Sequence, residues 1–121
     1  MKISGIYKIQ NNLNGKMYIG QSVNCYGRWL KHKSDYKHLD LPLYQDMRKY
    51  GIENFYFKVI EKMPAYLLNA REQEYIEKYN TLVPNGYNTY KSWNFYIKEI
   101  QLKTSNALAF TVFNLQCVDK A

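Results

Sequence analysis

The sequence predicts an α+β domain in which a small three-stranded antiparallel sheet is flanked by helices. Three short segments have the alternation or the aromatic and β-branched content of strands. The segments between and after them carry helix caps or apolar residues at helical spacing. The chain contains no repeats or linkers, and its 46% of hydrophobic residues is enough for one core.

The first two strands are predicted to form a hairpin. Residues Ser4–Gln10 alternate with period two, so Tyr7 and Ile9 share one face. Residues 11–15 (NNLNG) tolerate positive φ and indicate a turn. Residues Lys16–Gln21 then form the second strand.

The first helix is predicted to follow this hairpin. Asn24 is a suitable N-cap residue, and the helix is expected to run to about Lys37. We expect its inner face to carry Tyr26, Trp29 and Leu30.

The rest of this region is predicted to contain two more helices, a third strand and a turn. Pro42 is suited to the first turn of a helix that ends at Gly51, and Asn54–Glu61 (NFYFKVIE) predicts the third strand. Residues Ala65–Asn80 predict an amphipathic helix whose apolar stripe holds Leu68, Tyr75, Ile76 and Tyr79. A turn at residues 84–86 (PNG) then leads to Tyr87 and Asn88.

Residues 1–90 and 91–121 are expected to differ in role. In the second part, Trp93–Lys103 has the spacing of a short helix, and Ala107–Leu115 is a nearly uncharged apolar run. This extension has no basic residue between Lys103 and Lys120 to contact phosphate. We expect it to pack on the first part or on a second subunit, so the chain is a monomer or a homodimer.

Charge is unevenly distributed along the chain. Residues 1–34 contain no acidic residue but six basic ones: Lys2, Lys8, Lys16, Arg28, Lys31 and Lys33. This one-signed region favours a polyanionic partner. Two distant cysteines make no disulfide framework or metal motif, and no apolar run approaches membrane-spanning length. We therefore expect an intracellular, cytoplasmic protein without a membrane partner.

Glu72 is unusual because it falls on the apolar stripe of the last helix. It lies four residues after Leu68 and four before Ile76, whereas Glu74 and Glu77 fall on the opposite side. A buried carboxylate is costly unless it is paired or binds a cation. The alternative is a rim residue whose carboxylate reaches water.

Two further groups of residues suggest phosphate chemistry. Arg28 and His32 share a helix face, with Lys31 beside them, and a guanidinium group can grip phosphate oxygens bidentately. The alternative is a solvated basic face. Tyr7 and Tyr18 each lie two residues from a glycine, Gly5 and Gly20, and strand glycines often mark close approach of a ligand or backbone. Aromatic packing across the strands would also explain these tyrosines.

Taken in order, these motifs resemble the GIY-YIG nuclease family. Gly5-Ile6-Tyr7 and Tyr18-Ile19-Gly20 resemble its defining pair of tripeptides, and Gly27-Arg28-Trp29 with His32 resembles its arginine helix. Glu72 resembles its metal-binding glutamate, and Asn85-Gly86-Tyr87-Asn88 resembles the motif that closes its domain. The resemblance covers roughly residues 4–90. The chain closely resembles the catalytic domain of phage and intron-encoded homing endonucleases, which implies an enzyme of the homing or free-standing phage type.

The resemblance implies hydrolysis of DNA phosphodiesters by water. Glu72 would hold one Mg²⁺ or Mn²⁺ ion, Arg28 would stabilise phosphate charge, and Tyr7 would act as general base. Tyr18 would orient water or phosphate, and His32 would assist Tyr7 or phosphate binding. Gly5, Gly20 and Asn88 would support the site. We assign substrate binding to Lys16, Lys31 and Lys33.

Two other classes of protein remain as alternatives. One is a non-cleaving nucleic-acid-binding module on the same fold. The other is a structural or interaction protein whose tyrosines only pack. A metal-dependent plasmid-nicking assay distinguishes these alternatives from an endonuclease.

Overall fold

The computed structural model describes residues 2–89, which form the predicted α+β architecture. The strands are β1 (Gly5–Asn11), β2 (Met17–Ser22) and β3 (Phe55–Lys62), and the helices are α1 (Cys25–Asp35), α2 (Pro42–Tyr50) and α3 (Leu68–Tyr79). Short 3-10 turns at Ile52–Asn54 and Ala65–Leu67 precede β3 and α3. The predictions for residues 91–121 lie outside the described residues. No helix within residues 2–89 is both long and apolar enough to cross a bilayer.

The sheet has the strand order β2-β1-β3, and both pairings are antiparallel. Tyr7, near the middle of β1, pairs with Gly20 on β2 and with Val59 on β3. The register between β1 and β3 shifts between Ile6 and Tyr7, which is typical of a β-bulge. Bulges redirect side chains, and this one directly precedes the tyrosine that sequence analysis singled out.

The sheet is covered on both faces, so β1 is buried from Gly5 to Tyr7. One apolar cluster joins Tyr7 and Ile9 of β1 to residues of α1 and α2, including Leu43 and Met47. A second cluster joins Ile6 and Ile19 of the sheet to Leu68 and Ile76 of α3. Because side chains alternate across a strand, consecutive residues of β1 pack against different helices, α1 and α2 on one face of the sheet and α3 on the other.

The caps of α1 and α2 agree with the predictions. The side chain of Asn24 accepts a hydrogen bond from the Gly27 amide at 3.2 Å, as expected for an N-cap. Pro42 is the first residue of α2, and the Gly51 amide donates to the Met47 carbonyl at its end. Local sequence therefore sets these boundaries.

The predicted inner face of α1 is wrong for two of its three residues. Tyr26 and Leu30 are exposed, and the buried residues of the helix are Cys25 and His32. Trp29 is half-buried, with its ring stacked on Phe57 at 5.4 Å. His32 occupies the buried face of α1 because its two ring nitrogens hydrogen-bond to Tyr7 on β1 and Tyr44 on α2. A polar residue thus replaces apolar ones on the packed side.

The stripe of α3 is narrower than predicted. Leu68 and Ile76 are buried and Tyr75 is half-buried, but Tyr79 is exposed and stacks on Tyr75 at the rim, with ring centroids 6.0 Å apart. Glu74 and Glu77 are exposed, as their spacing predicted. The helix also begins at Leu68, since the preceding turn is 3-10 rather than α-helical.

Candidate active site

The site begins where the ring of Tyr7 crosses Gly20 on the neighbouring strand. A Cβ atom at Gly20 would overlap the Cζ atom and the hydroxyl of Tyr7. Similarly, a Cβ atom at Gly5 would overlap the Glu61 carbonyl on β3. Both glycines are therefore needed for close approach, and Gly20 allows the Tyr7 hydroxyl to reach across β2.

A chain of hydrogen bonds joins three elements at the Tyr7 hydroxyl. This hydroxyl lies 2.8 Å from Nε2 of His32 on α1, and Nδ1 of His32 lies 2.7 Å from the hydroxyl of Tyr44 on α2. All three residues are buried. The ring of Tyr18 packs against both Tyr7 and His32, with centroid distances of 6.3 and 5.5 Å. The two motif tyrosines and the histidine thus form one cluster.

Burial controls the protonation of this cluster. Burial raises the pKa of the Tyr7 hydroxyl well above its usual range, and Tyr18 raises it further, whereas Arg28 lowers it. Burial also lowers the pKa of His32 to about 4, and the positive charge of Arg28 acts in the same direction. In the protein without substrate, Tyr7 is therefore a neutral phenol and His32 a neutral imidazole near pH 7.

Arg28 lies one helical turn before His32, as predicted, and is half-buried. Its guanidinium group makes no hydrogen bond or ion pair within residues 2–89. A half-buried cation without a partner is unfavourable in a purely structural role. It is suited to receive an anion, and its fork geometry fits phosphate.

Glu72 projects from α3 toward β2 and is half-buried. Its Oε1 atom accepts a hydrogen bond from Nε2 of Gln21 at 3.0 Å, and the same nitrogen donates to Asn69 at 2.7 Å. Burial raises the pKa of the Glu72 carboxyl, and the hydrogen bond from Gln21 acts in the opposite direction. The negative charge of Glu72 also raises the pKa of Tyr7, so the two side chains are close enough to interact. Within residues 2–89 the hydrogen-bond partner of the carboxylate is a neutral amide and no ion pair reaches it, so its charge is uncompensated there.

Asn88 braces the outer edge of β2. Its side-chain amide accepts from the Ile19 amide and donates to the Ile19 carbonyl, both at 2.9 Å, as a neighbouring strand would. The Tyr87 amide donates to the Met17 carbonyl at 2.9 Å. These bonds hold β2 in place beside Gly20, which agrees with the supporting role implied for Asn88.

The three lysines assigned to substrate binding lie outside the cluster formed by the tyrosines and His32. Lys31 forms an ion pair with Asp35 at 3.3 Å, and the ammonium of Lys33 lies 5.3 Å from the centre of the Trp29 ring. Lys16 lies in the hairpin turn, four residues before Gly20, which corresponds to about 13 Å along a strand. The structure therefore gathers Tyr7, Tyr18, Arg28, His32 and Glu72, but it does not bring Lys16 to them.

Two residues of the site, Tyr44 and Gln21, were not predicted from the sequence. Gln21 had a signal, since it directly follows Gly20 in a predicted strand. Tyr44 had none, because its contact with His32 depends on how α2 packs against α1. Together these two residues orient the imidazole and the carboxylate.

A family model described as the GIY-YIG catalytic domain matches residues 3–88 of the chain. Intron-associated endonuclease 1 of Enterobacteria phage T4 is 34% identical over 90 residues, which are 70% of this chain and 36% of that protein. A putative MSV199 domain-containing protein, 146R, of Invertebrate iridescent virus 6 is 32% identical over 68% of this chain and 36% of its own length. The chain therefore spans about a third of the length of the curated relatives it matches.

Solved structures show the same fold. A mutant form of the catalytic domain of intron endonuclease I-TevI superposes with a TM-score of 0.68 and is 33% identical. The match covers 76% of this chain and 97% of that domain. The likeness thus concerns the sheet and helices that carry the clustered residues.

Proposed function

The chain belongs to the GIY-YIG family, and from this premise we propose that it is a DNA endonuclease which hydrolyses phosphodiester bonds with one divalent ion, Mg²⁺ or Mn²⁺. A similar phage protein is named an intron-associated endonuclease, and a similar solved structure is the catalytic domain of an intron endonuclease. The excess of positive charge before Ser34 supports a polyanionic substrate.

One observation carries the proposal. Arg28 and Glu72 have opposite charges, and both act on the Tyr7 hydroxyl, yet they form no ion pair with each other. Two half-buried charges this close to one residue would gain by pairing if they served only the fold. Keeping them apart leaves room for a phosphate at Arg28 and a cation at Glu72.

The residues at Glu72 fit a catalytic rather than a structural metal ion. Within residues 2–89 no group of three or more His, Cys, Asp or Glu side chains could hold an ion, which argues against a closed structural site and leaves Glu72 as the carboxylate that would bind one. Mg²⁺ and Mn²⁺ accept such sites because water and phosphate oxygens complete the coordination. When bound, the ion supplies Lewis-acid stabilisation of charge on the phosphate and the leaving oxygen.

Four side chains have further roles in the proposed reaction. Arg28 binds the scissile phosphate bidentately and stabilises the charge that grows on it. Tyr7 accepts the proton of the attacking water once it has become a phenolate, which its burial opposes and Arg28 favours. Tyr18 packs against Tyr7 and orients water or phosphate. His32, neutral near pH 7, holds the Tyr7 hydroxyl in place.

The deciding experiment is nicking of supercoiled plasmid DNA with Mg²⁺, with Mn²⁺ and with EDTA. We expect cleavage with either ion and none with EDTA. Binding of DNA without cleavage under all three conditions would favour the non-cleaving module. Absence of both binding and cleavage would favour a structural protein. A labelled RNA duplex in the same assay reports whether the activity is restricted to DNA.

A further inference from the structure

The ring of Tyr44 packs in the first apolar cluster, and its hydroxyl group makes a polar contact there. Tyr44 lies on α2, is 2% exposed, and approaches His32 Nδ1 at 2.7 Å. Within residues 2–89 this is the only hydrogen bond of its hydroxyl group. The other ring nitrogen of His32 contacts Tyr7. Tyr44 and Tyr7 are thus the two partners of one imidazole.

The direction of these two hydrogen bonds follows from counting protons and from what surrounds each hydroxyl group. A neutral imidazole has one N–H donor and one acceptor nitrogen. If Nδ1 carried the proton, Tyr44 would accept it, and the phenolic proton of Tyr44 would have no partner within residues 2–89; if Nε2 carried the proton, the phenolic proton of Tyr7 would be the one without a partner there. An unsatisfied buried donor costs about 1–3 kcal/mol. This cost is smaller at Tyr7, because in the proposed reaction its hydroxyl faces the water or phosphate between Arg28 and Glu72, which can accept the proton, whereas Tyr44 has no second acceptor within residues 2–89. The favoured arrangement therefore has Tyr44 donating to Nδ1, with the ring proton on Nε2 donating to the Tyr7 oxygen.

We propose that Tyr44 is a positioning residue for the reaction: its hydroxyl holds His32 in the Nε2–H tautomer and thereby directs a hydrogen-bond donor at the Tyr7 oxygen. The inference rests on the proposed function, in which Tyr7 acts on the substrate. A donor at this oxygen stabilises the phenolate and leaves the phenolic proton of Tyr7 directed away from His32. His32 then acts as a donor to Tyr7 rather than as the acceptor of its proton.

Within residues 2–89, Tyr7 and Tyr44 are the residues that can set the tautomer of His32 through a hydrogen bond to its ring. The titratable or charged groups that face it are Tyr7 from β1, Tyr18 from β2, Tyr44 from α2 and, on α1 itself, Arg28, Lys31 and Asp35. Of these, only the tyrosines at positions 7 and 44 hydrogen-bond to the ring within the described residues.

The tautomer can be read directly from two-bond ¹H–¹⁵N correlation spectra of the imidazole at pH 7. The sequence has two histidines, and a His38→Gln variant assigns the signals. In the wild type we expect Nδ1 to be the unprotonated nitrogen of His32. In Tyr44→Phe, which keeps the ring, we expect this preference to be lost. A wild-type spectrum with the proton on Nδ1 would overturn the inference whether or not any variant folds.

The kinetic readout needs a matched control, and Tyr87→Phe provides one. Tyr87 belongs to the same apolar cluster, but its hydroxyl bonds to Asp46 and Asn11. For Tyr44→Phe we expect nicking to fall about tenfold, as for loss of one hydrogen bond worth about 1.4 kcal/mol. DNA affinity should be unchanged, and the alkaline rise of the rate should move to higher pH. Tyr87→Phe should change neither the tautomer nor the pH profile.

Equal rates and equal pH profiles for Tyr44→Phe and the wild type would also overturn the inference. A chain that never cleaves DNA would refute the proposed function instead, and the tautomer spectrum would still decide the role of Tyr44. The two failures are therefore distinguishable.

Discussion

The hydroxyl of Tyr7 lies 2.8 Å from Nε2 of His32, although the two residues are 25 positions apart in the chain. The contact is possible because the ring of Tyr7 crosses Gly20 on β2, and because α1 turns His32 rather than Leu30 toward the sheet. A polar pair thus occupies a place in the core where apolar side chains would be expected. We therefore expect changes to this pair to alter the free energy of unfolding as well as the activity.

The first prediction concerns acid stability. The folded protein keeps His32 at a pKa of about 4, below the value of about 6.5 in an unfolded chain. The unfolded state therefore binds more protons between these values, so stability falls as pH drops from 6.5 toward 4. The loss from this residue should be about 3 kcal/mol.

Denaturant unfolding at several pH values measures this effect. The difference between the wild type and His32→Gln should shrink as pH falls over this window, because the variant has no imidazole to protonate. His38→Gln, which changes an exposed histidine, should keep the wild-type slope. Parallel curves for the wild type and His32→Gln would contradict the shifted titration.

The second prediction is that Glu72→Gln removes cleavage while preserving DNA binding. If the ion at Glu72 contributes about 4 kcal/mol, nicking with Mg²⁺ should fall about 10³-fold or more. Burial raises the pKa of this carboxyl, so the neutral amide should leave the melting temperature equal or higher.

Glu77→Gln is the matched control, since Glu77 is exposed on the same helix. It should cleave at the wild-type rate. If Glu72→Gln retained metal-dependent nicking within tenfold of the wild type, Glu72 would not be the metal ligand.

The third prediction separates the role of Arg28 from general attraction of DNA. Arg28→Ala should lower the single-turnover rate about 10²- to 10³-fold, as for loss of a charge-stabilising donor in a closed site. DNA affinity should fall much less, because other basic residues remain. Lys31→Ala, which removes an exposed ammonium paired with Asp35, should weaken binding slightly and leave the rate unchanged. Equal losses of rate and affinity in Arg28→Ala would make this arginine part of the basic surface only.

The sequence predicted the fold well because its signals are local. The Asn24 cap, the hairpin turn and the alternation in β1 each depend on a few neighbouring residues, and the structure has all of them. The half-buried position of Glu72 also followed from helical spacing with Leu68 and Ile76. Periodicity shows which residues of an element share a face, and the order of the motifs indicated the family.

The errors concern contacts between distant elements. Apolar spacing placed Tyr26 and Leu30 inside, but hydrogen bonds from two other elements draw His32 inward instead. Lys16 is near Tyr18 in sequence, yet the extended strand carries it to the hairpin turn. Tyr44 could not be found from its neighbours at all. Contacts between residues far apart in the chain cannot be predicted from composition or from the spacing of residues within one element.

The last prediction tests the crossing of Tyr7 over Gly20. In Gly20→Ala the new Cβ atom would overlap the Tyr7 ring, and because both residues are buried within paired strands, neither can move freely. Such overpacking should cost about 1–3 kcal/mol and displace the hydroxyl from His32, so cleavage should be lost. Tyr7→Leu removes the overlapping atoms while keeping an apolar side chain. In Tyr7→Leu, adding Gly20→Ala should therefore cost little, giving a coupling energy of about 1–2 kcal/mol in the double-mutant cycle.

Gly15→Ala is the control, since Gly15 has a φ of 79° and no atoms near a Cβ position, so its cost comes from backbone strain alone. That cost should add to that of Tyr7→Leu without coupling. If Gly20→Ala and Tyr7→Leu were additive as well, the ring of Tyr7 would not lie against Gly20 in solution, and the site would have to be built around a different orientation of this tyrosine.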